Sequence, residues 1–222
     1  SRRRHTRWCV RSRGLGDVYK RQMVYHAASV ARAGRRACRV VDLPYGSYAR
    51  PGQALANARR LMEEGGANMV KLEGGADMAS TVGYLVEQGI PVCGHIGLLP
   101  QSVEQPDGYK LQGRDAAGAA AILADAAALE QAGAGLLVME CIPATLAARV
   151  TASVSIPTIG IGAGPDCDGQ VLVLHDMLGI TRGRRPRFVK DFLQDGGSIA
   201  GAVRAYVRAV KDGSYPAPEH GY

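Results

Sequence analysis

Lys71 and Glu73 stand two residues apart in the stretch Asn68-Met69-Val70-Lys71-Leu72-Glu73-Gly74-Gly75, and side chains two apart on a strand project to the same face of its sheet. Charges at the end of an apolar run are costly unless something polar meets them. They form either a strand-end salt bridge or part of a site. Asp42, His95, Glu140 and His175 close apolar runs in the same manner. Asp42 and Glu73 are hard oxygen ligands of the kind that suits Mg²⁺, an ion that keeps waters and leaves positions for substrate oxygens. Lys71 can bind a carboxylate or neutralise an enolate, and His95 can donate a hydrogen bond. Glu140, on an otherwise apolar strand, can act as a general base with a burial-tuned pKa. Each also has a plainer reading on its own: Asp42 shapes the turn before Pro44, His95 is a satisfied core histidine, and Glu140 pairs with an arginine.

Such residues are useful only if the elements that carry them converge. Apolar runs around Val40, Val70, Val92, Val138, Ile159 and Val171 read as six strands, the last spanning Gln170 to Leu174 and capped by His175 and Asp176. Between them lie helical stretches from Met23 to about Arg35, Gln53 to Glu64 behind Pro51, Met78 to Gln88, Asp115 to Ala132, and Pro143 to about Val150. Arg187 to Leu193 and Ile199 to Lys211 read as two closing helices. Continuous apolar strands alternating with helices indicate a parallel sheet covered on both sides. No Gly-x-Gly-x-x-Gly opens a helix after the first strand, and Gly160-Ile161-Gly162-Ala163-Gly164 is a weak phosphate-loop signal. A (β/α)8 barrel fits better, because its strand ends all meet at one mouth and would gather these scattered residues there. The long loop from Pro100 through Pro106, Asp107, Gly108 and Tyr109 to Gly113 is of the functional kind.

The 222 residues are 46% hydrophobic and 21% charged, the balance of an ordinary globular chain, and no apolar run approaches the ~20 residues a bilayer span needs. The net charge of +7 would suggest an acidic partner, but eight of the 27 basic residues and one of the 20 acidic ones fall within residues 1–22. The remainder carries 19 of each and is formally neutral, which argues against nucleic acid as a partner. Ser12-Arg13-Gly14-Leu15-Gly16-Asp17-Val18-Tyr19-Lys20-Arg21-Gln22 resembles the translation of a transposase sequencing adapter. Residues 1–22 are therefore set apart as an artefactual segment and 23–222 read as the catalytic domain. Of the cysteines, Cys9 lies in that segment, while Cys38, Cys93, Cys141 and Cys167 form no Cys-x-x-Cys pair and read as buried free thiols of a reducing cytoplasm.

Six blocks together carry a family resemblance: Val40-Val41-Asp42-Leu43-Pro44, Met69-Val70-Lys71-Leu72-Glu73-Gly74-Gly75, Val92-Cys93-Gly94-His95-Ile96-Gly97-Leu98-Leu99-Pro100-Gln101-Ser102, Gly108-Tyr109-Lys110-Leu111-Gln112-Gly113-Arg114, Leu137-Val138-Met139-Glu140-Cys141 and Ile159-Gly160-Ile161-Gly162-Ala163-Gly164. In order and spacing they resemble the ketopantoate hydroxymethyltransferase family. The resemblance implies a (β/α)8 barrel of the phosphoenolpyruvate mutase and isocitrate lyase type, a cytoplasmic homo-oligomer (a decamer in the family), and Mg²⁺ as cofactor. It further implies transfer of a one-carbon unit from 5,10-methylenetetrahydrofolate to 3-methyl-2-oxobutanoate, giving 2-dehydropantoate on the way to pantothenate. By the same resemblance Asp42 and Glu73 are metal ligands, with Asp42 also near substrate; Lys71 and His95 bind the ketoacid; and Glu140 accepts the proton. Family members begin with two further β-α units, the second ending in a Gly-Asp-Ser motif that supplies another metal ligand and a serine. No Gly-Asp-Ser occurs in these residues. The expectation is therefore a barrel short of its first two strands, inactive in folate turnover and prone to aggregate through exposed strand edges. Another Mg²⁺-dependent α-ketoacid enzyme of the mutase and lyase group, and a non-catalytic barrel fragment, are the alternatives.

Overall fold

The computed structural model describes residues 16–34, 36–102, 110–183 and 185–222. In chain order the elements are α1 (Gly16–Ala33), β1 (Val40–Asp42), α2 (Pro51–Glu63), β2 (Met69–Glu73), α3 (Ala79–Glu87), β3 (Val92–Gly97), α4 (Ala116–Gln131), β4 (Leu136–Glu140), α5 (Ala144–Ser153), β5 (Thr158–Ile161), β6 (Gly169–Gln170), α6 (Leu174–Met177), α7 (Phe192–Gly196) and α8 (Ile199–Lys211). Pro51 starts α2 at a position where its missing N–H costs nothing. Asp115 caps α4 by accepting from Gly118 N at 2.7 Å, and Ser198 caps α8 by accepting from Gly201 N at 3.0 Å.

The six strands form one parallel sheet in the order β1-β2-β3-β4-β5-β6. A doubly wound sheet reverses direction part-way and places early strands in its middle. Here every strand instead lies beside the next in sequence, which is how a (β/α) barrel is wound. The fold is α/β of the TIM-barrel type, and among the described residues its sheet is open.

Strand alternation divides the side chains between two cores. Val70, Leu72, Val92, Ile96, Leu137 and Met139 face the helical layer and pack with Leu61 of α2, Val82 and Leu85 of α3, Leu129 of α4 and Val150 of α5. Their alternates face what would be the barrel interior. There Cys93, Val138 and Ile161 are covered by Phe188, Phe192, Ala202 and Tyr215 from the C-terminal segment, with Val40, Met69, Leu136 and Ile159 at the edge of the cluster. Phe192, Tyr206 and Tyr215 meet edge to face at 5.2–5.9 Å between ring centres, a favoured aromatic geometry.

Several expectations change. The sixth strand is shorter than read and ends before Val171, and Leu174 to Met177 coil into the single turn α6. His175 therefore lies exposed on a helical turn rather than at the end of a strand, while Asp176 beside it is buried. Arg187 to Leu193 is not a helix; α7 starts at Phe192, capped by Asp191. Cys38 is exposed, whereas Cys93 and Cys141 are buried. Helix α1 begins at Gly16 and so runs through the boundary drawn at residue 22. Cys9, Arg35 and the loop residues Pro106, Asp107, Gly108 and Tyr109 lie outside the described residues.

Candidate active site

Register brings four of the predicted residues together in pairs and sets Glu140 one alternate further along. Asp42 pairs with Lys71 across β1 and β2, Glu73 with His95 across β2 and β3, and Gly97 with Glu140 across β3 and β4. Because Asp42, Lys71, Glu73, His95 and Glu140 all fall on the interior-facing alternates, they form a polar layer above the apolar one at Val40, Met69, Leu136 and Ile159.

Lys71 does not pair with Glu73, its neighbour two residues along the strand. Its Nζ lies 2.5 Å from Asp42 Oδ1 and 3.3 Å from His95 Nδ1. Adjacent strands are closer than residues two apart on one strand, so the ammonium bonds sideways. Burial works to lower the Lys71 pKa, but Asp42 and then Glu73 outweigh it and hold the amine above its ordinary value, so it stays charged. The Asp42 side chain is 42% exposed, yet its Oδ1 is buried and lacks a well-directed hydrogen bond even with Lys71 so near.

His95 is the centre of the layer, with Nε2 3.4 Å from Glu140 Oε2 and Nδ1 3.6 Å from Glu73 Oε1. It is buried, as are both carboxylates. Burial and the Lys71 charge push its pKa down, while Glu140 and Glu73 push it up by more and leave it raised. With the ring neutral, Nδ1 can accept from the Lys71 ammonium while Nε2–H faces Glu140; with the ring charged, both nitrogens point protons at carboxylates. The Nε2 contact is long and poorly aligned, so this buried atom has no hydrogen bond. His95 is therefore neither an ordinary satisfied core histidine nor isolated. Glu140 meets this histidine, not an arginine. The residue after it, Cys141, takes φ 50°, a left-handed conformation rare outside glycine and typical of functional turns. It is held by Cys141 N donating to Ile161 O at 2.9 Å and Gln112 N donating to Cys141 O at 2.8 Å.

The loops after the strands supply residues that strand periodicity could not reveal. Gln101 N donates to Glu73 Oε2 at 2.9 Å, Gln101 Nε2 donates to Leu43 O at 3.1 Å, and Tyr48 OH donates to Gln101 Oε1 at 3.0 Å. Burial, followed by the Glu73 charge, raises the Tyr48 pKa and keeps its hydroxyl protonated. The only sequence signal for Gln101 was its place in the block from Val92 to Ser102; Tyr48 had none.

Asp42 and Glu73 are compatible with a hard divalent cation: both are carboxylates on the interior face, and Glu73 Oε1 lies beyond hydrogen-bond length from His95, while Asp42 Oδ1 is ion-paired with Lys71. Among the described residues no group of three His, Cys, Asp or Glu is arranged to hold a metal by itself. Such an ion would take the rest of its coordination from water and substrate.

A sequence model of ketopantoate hydroxymethyltransferase matches residues 15–218. The chain belongs to the ketopantoate hydroxymethyltransferase family. Two 3-methyl-2-oxobutanoate hydroxymethyltransferases, from Burkholderia mallei strain SAVP1 and Burkholderia thailandensis, are each 60% identical to it over 200 residues, which cover 90% of this chain and 73% of each relative. Among solved structures, a candidate phosphonomutase from Burkholderia cenocepacia J2315 superposes with a TM-score of 0.50 at 19% identity. That match covers 64% of this chain and 61% of that one, and is a likeness of fold alone. The ketopantoate hydroxymethyltransferase match takes in all six strands and every residue of the polar layer.

Proposed function

We propose that this chain carries the ketoacid site of a 3-methyl-2-oxobutanoate hydroxymethyltransferase, which forms 2-dehydropantoate with 5,10-methylenetetrahydrofolate as one-carbon donor. The observation that carries this reading is the chain Lys71, His95, Glu140 of close polar contacts on the interior face, in a protein 60% identical to enzymes of that name. Lys71, charged and buried beside Asp42, is suited to the substrate carboxylate or to an enolate oxygen. His95, buried between Glu73 and Glu140 with no hydrogen bond on Nε2, is suited to hydrogen-bond the ketoacid. Glu140 is the proton acceptor at C3 of the ketoacid, and His95 Nε2–H faces its carboxylate.

The C3–H bond breaks toward Glu140 and its electron pair moves into the enolate, which Lys71 stabilises by charge. Water supplies the hydroxyl oxygen: it adds to the folate methylene carbon, and both folate C–N bonds break, with water's two protons going to the folate nitrogens so that tetrahydrofolate leaves. C3 bonds to the released carbon, and the proton held by Glu140 ends on the new hydroxyl. A Mg²⁺ ion held by Asp42 and Glu73 would polarise the 2-oxo group and make C3–H more acidic. The same reading includes a cytoplasmic location and a homo-oligomer; none of the helices among the described residues is long and apolar enough to cross a membrane.

Calorimetric titration of the chain with 3-methyl-2-oxobutanoate tests the proposal. Binding is expected to require Mg²⁺ and to be lost in Lys71→Met. Equal binding by the unaltered chain and Lys71→Met would contradict it.

A further inference from the structure

We infer that Gln101 and Tyr48 are positioning residues that hold the two carboxylates Asp42 and Glu73 in register for a divalent cation. This rests on the proposed function, in which those carboxylates are the metal ligands. Gln101 lies in the loop after β3, yet it bonds to both preceding strand ends. Its backbone N–H fixes Glu73 Oε2 at 2.9 Å, and its side-chain amide fixes the carbonyl of Leu43, the residue immediately after Asp42, at 3.1 Å. Tyr48, in the segment after β1, then fixes the rotamer of Gln101 through its hydroxyl at 3.0 Å. The amide hydrogens face Leu43 and the amide oxygen faces Tyr48, so both ends of Gln101 are used and neither flips freely. Tyr48, Leu43, Glu73 and Gln101 are all buried, so no solvent replaces a lost bond.

The geometry leaves one oxygen of Glu73 occupied and the other facing the site. Gln101 N occupies Oε2, while Oε1 turns toward His95 at 3.6 Å, beyond hydrogen-bond length. A carboxylate pinned by one oxygen presents the other at a defined position. Partners of this kind, one bond behind a ligand, typically change metal affinity by ~10–100-fold when removed.

The test uses Mn²⁺ as the probe, followed by electron paramagnetic resonance with Mg²⁺ competition, on the unaltered chain and on Tyr48→Phe, Gln101→Met, Asp42→Asn and Leu61→Ala. Tyr48→Phe removes one hydroxyl and Gln101→Met removes the amide at nearly constant shape. Leu61→Ala opens the α2 core at a residue that makes none of the network's hydrogen bonds and controls for loss of stability. The expected result is Mn²⁺ binding that Asp42→Asn abolishes, that Gln101→Met weakens by ~10-fold or more, that Tyr48→Phe weakens less, and that Leu61→Ala leaves unchanged despite a lower Tm. Equal Mn²⁺ affinity in the unaltered chain, Tyr48→Phe and Gln101→Met, with Asp42→Asn still inactive in binding, would overturn the positioning role and leave the metal reading standing. Mn²⁺ binding indifferent to Asp42→Asn, or none in the unaltered chain, would overturn the metal reading and this inference with it.

Discussion

His95 has two acidic neighbours and one cationic neighbour, and their balance sets a pH dependence. Its folded pKa is raised above the ordinary value of ~6.5, because Glu140 and Glu73 outweigh burial and Lys71. The stability this contributes is fully present below about pH 6.5 and is lost as pH rises through the raised folded pKa. In metal-free protein, urea unfolding across that range should show stability falling with pH in the unaltered chain and a flatter profile in His95→Gln; identical slopes would contradict the pairing. That Asp42, Lys71, Glu73, His95 and Glu140 share one polar layer was legible in the sequence because each is a polar group closing an apolar strand at the right alternate. Their partners were not. Sequence spacing places Lys71 beside Glu73 along one strand, whereas the bond to Asp42 depends on register between strands. Gln101 and Tyr48 sit in loops, where no period marks a side chain that turns inward.

At the scale of elements, close approach explains two glycines. A Cβ on Gly75 would lie 2.0 Å from the Asp125 carboxyl carbon, and Asp125 Oδ1 accepts from Ala76 N at 2.8 Å. This contact ties α4 to the turn that follows Glu73. Gly75→Ala should therefore destabilise the fold by ~1–3 kcal/mol and loosen that turn; denaturant melting with no change of midpoint would contradict the contact. Gly94 similarly makes room for Leu129, whose Cδ1 would lie 2.8 Å from an added Cβ. The strands from β1 to β5 and the helices from α2 to α5 follow directly from apolar periodicity and end signals. The region after β5 was less legible. There Gly169 and Gln170 pair only briefly, and the interior face is closed by Phe188, Phe192 and Tyr215 rather than by a regular βα unit. Phe192→Ala should cost ~3–5 kcal/mol, read as a lower midpoint of chemical denaturation, because it empties the centre of that cluster.

For the whole molecule, the sequential strand order makes the sheet a barrel wall, and among the described residues β1 pairs on one side only. An unpaired parallel edge is a template for another chain. Light scattering should show self-association that grows with concentration, and a monodisperse monomer at high concentration would contradict that expectation. The barrel type was legible because the helix-strand beat was regular and the polar residues ended different strands. The extent of the sheet was harder to read, since strand length depends on partners.

The most direct test of the account is hydrogen exchange at C3 of 3-methyl-2-oxobutanoate in D2O, followed by proton NMR with Mg²⁺ present. It isolates the proton abstraction assigned to Glu140 and requires no folate. Exchange is expected to be catalysed by the unaltered chain and slowed ~100-fold or more in Glu140→Gln, with ketoacid binding retained. Exchange at the same rate in both, or none above the protein-free rate in the unaltered chain, would contradict it.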